Sequence, residues 1–257
     1  MEIIEGNYGK CYICDNMDKN VGLPSLNNKT HGLCISDPPY NVNYSEADCR
    51  IKQKTDGTMI RFQQFKDTKH ELYNDNITNY EEFSRKWFTE IMRICNQLIF
   101  TCGNKMSCVA NWFKIQTPDA MIIHYKKNCT SINSLFRHNL YEPILVYGKF
   151  RNHFDFNRDV IDLPVTWGFL RDKSLVLKHP HPKEEKLYKI FIERLKPLSV
   201  LDPFLGSGTT AQVCEEIGVN WIGYEINPEY INDIKTRIKI GIKSHANQYQ
   251  AESLGEY

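Results

Sequence analysis

Two short segments, far apart in the chain, combine residue types that can do chemistry. The first is Asp37-Pro38-Pro39-Tyr40, which follows an apolar run at 33–35. Its carboxylate can accept hydrogens from an exocyclic amine of a nucleobase and localise a lone pair that the ring otherwise delocalises. The prolines have fixed φ angles and lack N–H groups, so they can aim the Pro38 carbonyl at the same amine. Aspartate before proline is also common in turns, so a turn or cap is the alternative interpretation.

Tyr40 completes this first segment with an aromatic ring. A base must leave its duplex to reach a pocket of this kind, and aromatic stacking is the usual way to hold it there. The segment therefore indicates chemistry on a base that has been flipped out of the helix.

The second segment is a glycine loop, Asp202-Pro203-Phe204-Leu205-Gly206-Ser207-Gly208-Thr209-Thr210, placed between a strand-like and a helix-like run. Gly206 and Gly208 let backbone N–H groups approach an anionic ligand closely. Glu225 ends the next strand-like run, where an acidic residue can accept hydrogen bonds from both ribose hydroxyls. A glycine loop followed by an acid at this spacing indicates a nucleoside cofactor.

In this order the two segments resemble the motifs of the β-group DNA amino-methyltransferases, bacterial and phage enzymes in which DPPY precedes FxGxG. Further matches are Asp15 after a strand-like run, His179-Pro180 with Lys183 as an HPxxK motif, a late strand at 142–146, and Asn41, which extends DPPY. Many members carry a second proline after the HPxxK lysine. This chain has Glu184 there, so the match to the family is incomplete at the local turn, whereas the lysine of the motif is present.

The resemblance implies an S-adenosylmethionine-dependent enzyme that methylates the N6 amine of adenine in DNA by direct displacement after base flipping. It makes Asp37, Pro38, Pro39 and Tyr40 the catalytic residues. The implied cofactor-binding residues are Asp15, Asp37, His179, Lys183, Asp202, Phe204, Gly206, Ser207, Gly208, Thr209, Thr210, Glu225 and Asn227. No metal site is expected.

Within the implied cofactor set, the glycine loop would hold the methionine part of the cofactor, with His179 and Lys183 at its carboxylate. Glu225 would hold the ribose. Asp15 would reach the adenosine end, or would instead cap a helix running toward Leu26.

Three other functions compete with this interpretation. N4-cytosine methylation more often goes with serine in place of the DPPY aspartate, so Asp37 favours adenine. RNA N6-adenine methyltransferases of related permuted design more often carry tryptophan where Tyr40 stands, and usually have extra domains. A catalytically silent, cofactor-binding subunit should show a damaged acid or glycine loop, and both are intact here.

The elements that must position these motifs alternate between strand and helix, which indicates an α/β fold. Strand-like runs occur at 10–14, 32–36, 97–102, 120–125, 143–147, 199–201 and 221–224. Apolar spacing predicts helices at 80–96, at 183–195 and from Pro228 to 240, with Gly241 after the last. The resemblance implies a circularly permuted Rossmann-like methyltransferase fold, a mostly parallel seven-stranded sheet with helices on both faces. The aromatic residues Phe83, Trp87, Phe88 and Trp112 are then expected in the core.

The chain of 257 residues, with 41% hydrophobic content, is expected to form a single domain over 1–257. Net charge is only +1, so a DNA surface has to be local. Basic residues outnumber acids six to two both in 50–69 and in 126–158. These two segments are either phosphate contacts or simply solvated loops. Inserted loops at 43–79 and 150–178 are the candidate DNA-recognition segments.

No signal-like or long apolar segment stands out, which predicts a cytoplasmic protein without membrane association. DNA is the expected partner, and the resemblance leaves room for a homodimer and a cognate restriction endonuclease. Nine scattered cysteines fit buried thiols in a reducing compartment. Cys11 and Cys14 form a CxxC pair without a second ligand pair for zinc. Methylation at cytosine carbon 5 would need a cysteine nucleophile, typically after proline, and no Pro-Cys dipeptide occurs.

Overall fold

The computed structural model describes residues 1–41, 51–53, 59–61, 77–128, 139–148, 158–164, 177–179 and 181–254. Within these residues eleven strands occur, nine of them in one sheet and two in a separate antiparallel pair. In chain order the strands are β1 (Glu2–Glu5), β2 (Gly9–Ile13), β3 (His31–Ser36), β4 (Ile51–Gln53), β5 (Met59–Arg61), β6 (Cys95–Thr101), β7 (Ala120–Tyr125), β8 (Tyr141–Gly148), β9 (Val160–Asp162), β10 (Ser199–Asp202) and β11 (Asn220–Glu225).

The large sheet has the order β1-β2-β11-β10-β3-β6-β8-β7-β9. Its five central strands, β2, β11, β10, β3 and β6, are all parallel, whereas β8 runs antiparallel to both of its neighbours. The strands β10 and β3 lie side by side although they come from opposite ends of the sequence. From this pair the chain winds outward in both directions, and such a switch point is where α/β sheets bind ligands.

Five α-helices occur in the described part of the chain: α1 (Tyr80–Ile94), α2 (Met106–Ile115), α3 (Glu185–Leu195), α4 (Thr209–Ile217) and α5 (Ile231–Leu254). Apolar residues of α1 and α2 pack on one face of the sheet, and those of α3, α4 and α5 pack on the other. Strand residues alternate between the two cores: Leu33 and Ile35 join the second, whereas Cys34 joins the first. A sheet buried on both faces explains why its strands read as continuous apolar runs.

The predicted α/β fold, with helices on both faces of a mostly parallel sheet, is confirmed. All seven predicted strands are present, and the aromatic residues Trp87, Phe88 and Trp112 are buried in the core. The sheet is wider than predicted because the short strands β1 and β9 are added at its two edges. With four and three residues, these strands are too short to show a periodic pattern.

The last helix differs from its prediction. It does not end at residue 240 but continues through Gly241 to Leu254. Gly241 is not a helix terminator here: a Cβ at this position would lie 2.3 Å from the carbonyl oxygen of Gln212. The glycine therefore permits close packing of α5 against α4 rather than ending the helix.

The predicted recognition segments, 43–79 and 150–178, lie largely outside the described residues. The described parts of the first include the pair β4 and β5, joined antiparallel from Ile51↔Arg61 to Gln53↔Met59. No helix in the described ranges is both long and apolar enough to cross a membrane.

Candidate active site

The carboxyl ends of β3 and β10 bring the two chemical motifs together. Asp202 is the last residue of β10, and Asp37 follows the last residue of β3. Both line one cleft. Its lining residues are Asp37, His179, His181, Pro182, Lys183, Tyr188, Asp202, Phe204, Leu205, Gly206, Ser207, Thr209 and Thr210. The fold thus joins segments that are more than 160 residues apart in the chain.

Asp37 is held through one of its two carboxylate oxygens. The hydroxyls of Tyr40 and Thr101 each donate to Oδ1 at 2.5 Å, and the Lys183 ammonium lies 3.0 Å from the same oxygen. Among the described residues no donor contacts Oδ2. Three donors on one oxygen fix the carboxylate while leaving the other oxygen able to accept a further hydrogen bond.

Lys183 is shared between two carboxylates. Its ammonium lies 2.6 Å from Glu142 Oε1, closer than to Asp37, and donates to the Tyr40 oxygen at 2.8 Å. Burial lowers the pKa of Lys183, but Asp37 and Glu142 outweigh it and the pKa stands above its usual range. The cation is therefore firmly protonated. Its ammonium faces the catalytic motif, whereas the resemblance had assigned it to the cofactor carboxylate.

Glu142 is buried with 8% of its surface exposed. Burial raises its pKa, yet the charge of Lys183, the nearby ring of His124 and the charge of Lys126 together hold that pKa well below its usual range. The Lys126 ammonium is 3.7 Å from Oε2. Lys126, one of the predicted phosphate contacts, thus interacts with a carboxylate of the protein itself.

Tyr40 is tied down by its hydroxyl. This group donates to Asp37 and lies 3.0 Å from Glu142 Oε1, while the Lys183 ammonium sits 5.2 Å from the ring centroid. Burial, with the negative charges of Asp37 and Glu142, raises the pKa of Tyr40 well above its usual range. The phenol is therefore a hydrogen-bond donor and not an anion.

The rest of the DPPY segment is anchored by side chains from α1 and α2. Tyr80 O–H donates to the Pro39 carbonyl at 2.7 Å, and Cys108 Sγ donates to the Tyr40 carbonyl at 3.2 Å. Pro38 and Pro39 are buried. These contacts fix the backbone that carries Asp37 without using the Asp37 carboxylate.

Asp202 organises the start of the glycine loop. It accepts from Ser36 Oγ on one oxygen and from Thr210 Oγ1 on the other, and its Oδ1 also accepts from Phe204 N. Burial raises its pKa to about 6 although these donors favour the ionised form. Asp202 therefore joins the end of β3 to the first turn of α4.

Gly206 and Gly208 have the positive φ angles, +55° and +90°, that glycine tolerates best. A Cβ on Gly206 would lie 2.9 Å from Nε2 of the His179 ring. His179 is itself positioned by its backbone N–H, which donates to Asp233 on α5 at 2.8 Å. A side chain at position 206 would thus fill the space between the loop and His179.

Glu225 lies at the end of β11 and reaches back to the loop. It accepts from Gly206 N at 2.8 Å and from Asn227 N at 2.7 Å. Burial raises the pKa of Glu225 to about 7, although both backbone donors favour ionisation. Asn227 uses its side-chain oxygen to cap a 3-10 turn, so its contacts here are structural.

Asp15 lies in an exposed turn just after β2, where its Oδ1 accepts from Met17 N. The next residue is the more deeply placed one. Asn16 is buried and donates from Nδ2 to the Pro203 carbonyl at 2.9 Å. The strand-end acid therefore forms a local turn, and its neighbour links that turn to the glycine loop.

Phe204 turns its ring toward α1, with centroids 5.4 Å from Trp87 and 6.0 Å from Phe83. Ser207 is buried in the loop, and Thr209 and Thr210 are buried in the first turn of α4. Thr209 also reaches the HPxxK segment, since its Oγ1 donates to the Lys183 carbonyl at 3.4 Å. The loop is thus packed from both sides of the sheet.

Thr101, Glu142, Tyr80 and Asn16 are site residues that sequence reasoning missed. Thr101 ends the predicted strand β6, and Glu142 begins the predicted late strand, but neither residue type is distinctive. Because β8 is antiparallel to β6, its beginning lies at the edge where the parallel strands end. That direction, invisible in the sequence, is what brings Glu142 to Asp37.

The CxxC pair does not gather further ligands. Cys11 is fully buried on β2, and burial raises the pKa of its thiol. Within the described ranges, no group of three or more His, Cys, Asp or Glu residues could hold a metal ion.

The residues of the cleft fit a nucleoside cofactor with a charged amino-acid tail. The loop lacks side chains at Gly206 and Gly208, a buried acid follows at Glu225, and α4 presents its N-terminus to the cleft. A helix N-terminus favours a carboxylate, and an acid of this kind favours ribose hydroxyls.

Two relatives cover most of the chain. The DNA adenine methyltransferase YhdJ of Escherichia coli (strain K12) is 31% identical over 293 residues, which span 98% of this chain and 88% of the relative. The type II methyltransferase M.HinfI of Haemophilus influenzae is 28% identical over 261 residues, spanning 90% of this chain and 69% of the relative.

Solved structures share the fold. The M1.HpyAVI–SAM complex matches with a TM-score of 0.56 and 20% identity, covering 90% of this chain and 98% of the other. The PvuII DNA methyltransferase, specific for cytosine N4, matches with a TM-score of 0.59 and 14% identity, covering 94% and 93%. At these identities the likeness concerns the fold alone.

The model of the N6/N4 DNA methylase family matches residues 32–236, a span that includes both motifs and the residues between them. Enzymes of this family use S-adenosylmethionine, so the predicted cofactor is confirmed at the level of the family. With the fold, the cleft and these relatives in agreement, the chain belongs to the N6/N4 amino-methyltransferases of DNA.

Proposed function

We propose that the protein methylates the N6 amine of adenine in DNA and that Asp37 is the residue that accepts the amine. The observation that carries this proposal is the way Asp37 is held. Three donors fix Oδ1, and no described donor contacts Oδ2. One oxygen is thus left to receive an amine hydrogen in a geometry that the protein has already set.

The chemistry requires a nitrogen lone pair that points at the methyl donor. A carboxylate that accepts an amine hydrogen raises electron density on the nitrogen and stabilises the positive charge that develops there. Asp37 is well suited to this role because its anchors are side chains from β6, from the segment just before α3 and from the DPPY turn itself. It therefore needs little reorganisation when the base arrives.

The bound cofactor would supply a methyl group on a sulfonium, which the amine can attack without a covalent enzyme intermediate. We assign Glu225 to the ribose and the N-terminus of α4, with the loop from Phe204 to Thr210, to the methionine part. Asp202 would hold this loop against β3 through Ser36 and Thr210. His179 would close the loop over Gly206.

Lys183 and Tyr40 have two proposed contacts each. Lys183 donates to the catalytic corner, and a cofactor carboxylate would be a further partner for the same ammonium. Tyr40 would stack its ring on the flipped base while its hydroxyl stays on Asp37. Both functions are compatible with the short distances that join these residues to Asp37.

Adenine is favoured over cytosine by two observations. Asp37 stands where N4-cytosine enzymes of the resembled group more often have serine. The relative YhdJ, aligned over 98% of the chain, is named as a DNA adenine methyltransferase. The fold does not discriminate, since the cytosine-specific PvuII enzyme shares it.

The test is transfer of labelled methyl groups from S-adenosylmethionine to unmethylated genomic DNA, followed by nucleoside analysis. We expect label in N6-methyladenine and a loss of about 100-fold or more in rate for Asp37→Asn, which keeps the shape but removes the charge. Asp162→Asn, a surface carboxylate on β9 paired with Lys127, is the matched control and should be fully active.

Each alternative has its own result in this assay. Label in N4-methylcytosine would support the same reaction with cytosine instead of adenine as the target base. Label on RNA but not on DNA would contradict the DNA substrate. Cofactor binding without any transfer would indicate a silent subunit and overturn the proposal.

A further inference from the structure

Glu142 stands out as a buried charge to which neither the motifs nor the resemblance gives a role. It is one of the few buried carboxylates in the described chain that meets an ammonium at close range. The groups that face it are Lys183 Nζ at 2.6 Å, the Tyr40 hydroxyl at 3.0 Å, Lys126 Nζ at 3.7 Å and His124 Nδ1 at 3.7 Å. Two of these, Lys183 and Tyr40, also touch Asp37.

Two carboxylates and two ammonium groups meet at this point, but they are not paired one to one, because Lys126 contacts Glu142 alone. Asp37 and Glu142 are both carboxylates, and they share the Lys183 ammonium within 3.0 Å. If Lys183 had Asp37 alone as its partner, the pair would be neutral and Asp37 would be a weaker acceptor. With Glu142 taking the shorter contact, Asp37 keeps more of its negative charge for another donor.

The arrangement also fixes geometry. Glu142 Oε1 contacts Lys183 and Tyr40, the same two residues that donate to Asp37 Oδ1, and so helps to keep both donors in place. The backbone of β8 supplies the rigidity, because Ile144 and Val146 on the same strand are completely buried in the core. The Glu142 carboxylate is thus held in place by its strand and can position the side chains of Lys183 and Tyr40.

We propose that Glu142 is a positioning residue for methyl transfer, which holds Lys183 and Tyr40 on Oδ1 of Asp37 so that Oδ2, which no described donor contacts, faces the amine. This inference rests on the proposed function, because it assumes that Asp37 accepts the target amine. It does not require Glu142 to touch the cofactor or the base.

Glu142→Gln is the variant that tests it, because glutamine keeps the size and an acceptor oxygen but removes the charge. We expect kcat to fall by about 10- to 100-fold, as for loss of a preorganised electrostatic contact, with a smaller effect on the Kd of S-adenosylhomocysteine and of DNA. Glu216→Gln is the matched control, since Glu216 forms an ion pair with Lys189 of α3 at the same distance, 2.6 Å. Its kcat should equal that of the unchanged enzyme.

A second readout does not depend on activity. NMR of ¹⁵N-labelled lysine ammonium groups should show that the pKa of Lys183 falls in Glu142→Gln, because one of its two carboxylates has lost its charge. The pKa of Lys189 should stay where it is. A fall in kcat without this shift would mean that Glu142 acts on catalysis by a route other than Lys183.

Glu142→Asp is the second variant in case Glu142→Gln does not fold. Aspartate keeps the charge but places it farther from Lys183. The kcat of Glu142→Asp should therefore lie between that of the unchanged enzyme and that of Glu142→Gln.

The outcomes separate the inference from the function beneath it. An active enzyme whose kcat is the same with Glu142→Gln or Glu142→Asp overturns the inference and leaves the function standing. A loss of cofactor affinity with kcat preserved also overturns it, because Glu142 would then serve the cofactor. If the unchanged protein transfers no methyl group, the proposed function fails, while the Lys183 titration still reports whether Glu142 holds the lysine.

Discussion

The carboxylates in the two halves of the cleft have different kinds of partner. In the catalytic corner, formed by Asp37, Tyr40, Thr101, Glu142 and Lys183, two carboxylates share one partly buried ammonium. In the cofactor corner, formed by the loop from Asp202 to Thr210 with Glu225, the carboxylates meet only hydroxyls and backbone N–H groups among their described hydrogen-bond partners.

The pKa values follow this difference. Burial acts on the carboxylates in both corners, but the pKa of Glu142 lies well below its usual range because the charge of Lys183 opposes burial. The pKa of Asp202 is raised to about 6 and that of Glu225 to about 7, because neutral donors compensate burial only in part. The charge of Lys183 therefore keeps Glu142 ionised, whereas Asp202 and Glu225, which have neutral donors among their described partners, titrate near neutral pH.

The most severe test of this contrast is to remove the cation. Lys183→Met takes the shared ammonium from Asp37 and from the buried Glu142, and breaking a buried ion pair in this way costs about 3–5 kcal/mol. We expect a loss of stability of that size in chemical denaturation at neutral pH. Lys189→Met, which removes a partly exposed ion pair of α3, should cost about 1 kcal/mol or less. Equal losses for the two variants would contradict the comparison.

The cofactor corner depends instead on backbone shape. Gly206→Ala forces a side chain into a backbone with φ +55° and against His179, at a cost of about 1–2 kcal/mol. We expect a loss of cofactor affinity in calorimetry while kcat at saturating cofactor is kept. Gly32→Ala has ordinary space, with its nearest neighbour at 3.4 Å, and serves as the control. A fall in kcat alone would show that the corners are not separable.

The pH dependence of cofactor binding sharpens the contrast further. Ribose hydroxyls donate to the ionised form of Glu225, so binding lowers the pKa of Glu225 and releases a proton wherever the free protein is protonated. Affinity should therefore be flat above pH 7 and fall by up to about tenfold per pH unit below it. Asp202, with its pKa at about 6, titrates lower in the same range.

Calorimetry with S-adenosylhomocysteine at several pH values measures this dependence. Glu225→Gln should bind more weakly and lose the part of the slope that centres on pH 7. A slope that survives in Glu225→Gln would assign the titration to the ligand or to Asp202.

The smallest expected effect concerns a single neutral donor in the catalytic corner. Thr101→Val removes one of three hydrogen bonds to Asp37 Oδ1, and such a bond is worth about 1 kcal/mol. We expect kcat to fall by about fivefold, with cofactor affinity unchanged. Thr236→Val, an exposed threonine that bonds the carbonyl of Asn232 on α5, is a control with no expected effect. An unchanged kcat in Thr101→Val would mean that Tyr40 and Lys183 suffice to orient Asp37.

Much of the fold was predictable because its signals are local. Seven strands and the main helices show in apolar runs and in helical spacing, and the two motifs mark the ends of β3 and β10. The length of α5 was not predictable, because Gly241 ends many helices but here lets α5 approach α4. The edge strands β1 and β9 were missed because pairing, rather than pattern, defines such short strands.

By itself the sequence determined which groups are available: an aspartate between rigid prolines and a strand, a glycine loop, and an acid for a ribose. Local residue types carry that information because each acts through its own backbone. Only the tertiary structure decided which partners Asp37 has. Glu142 reaches it because β8 runs against its neighbours, and Thr101 and Lys183 reach it from β6 and the start of α3. Contacts between residues more than 40 positions apart depend on strand direction and order, which no local pattern encodes.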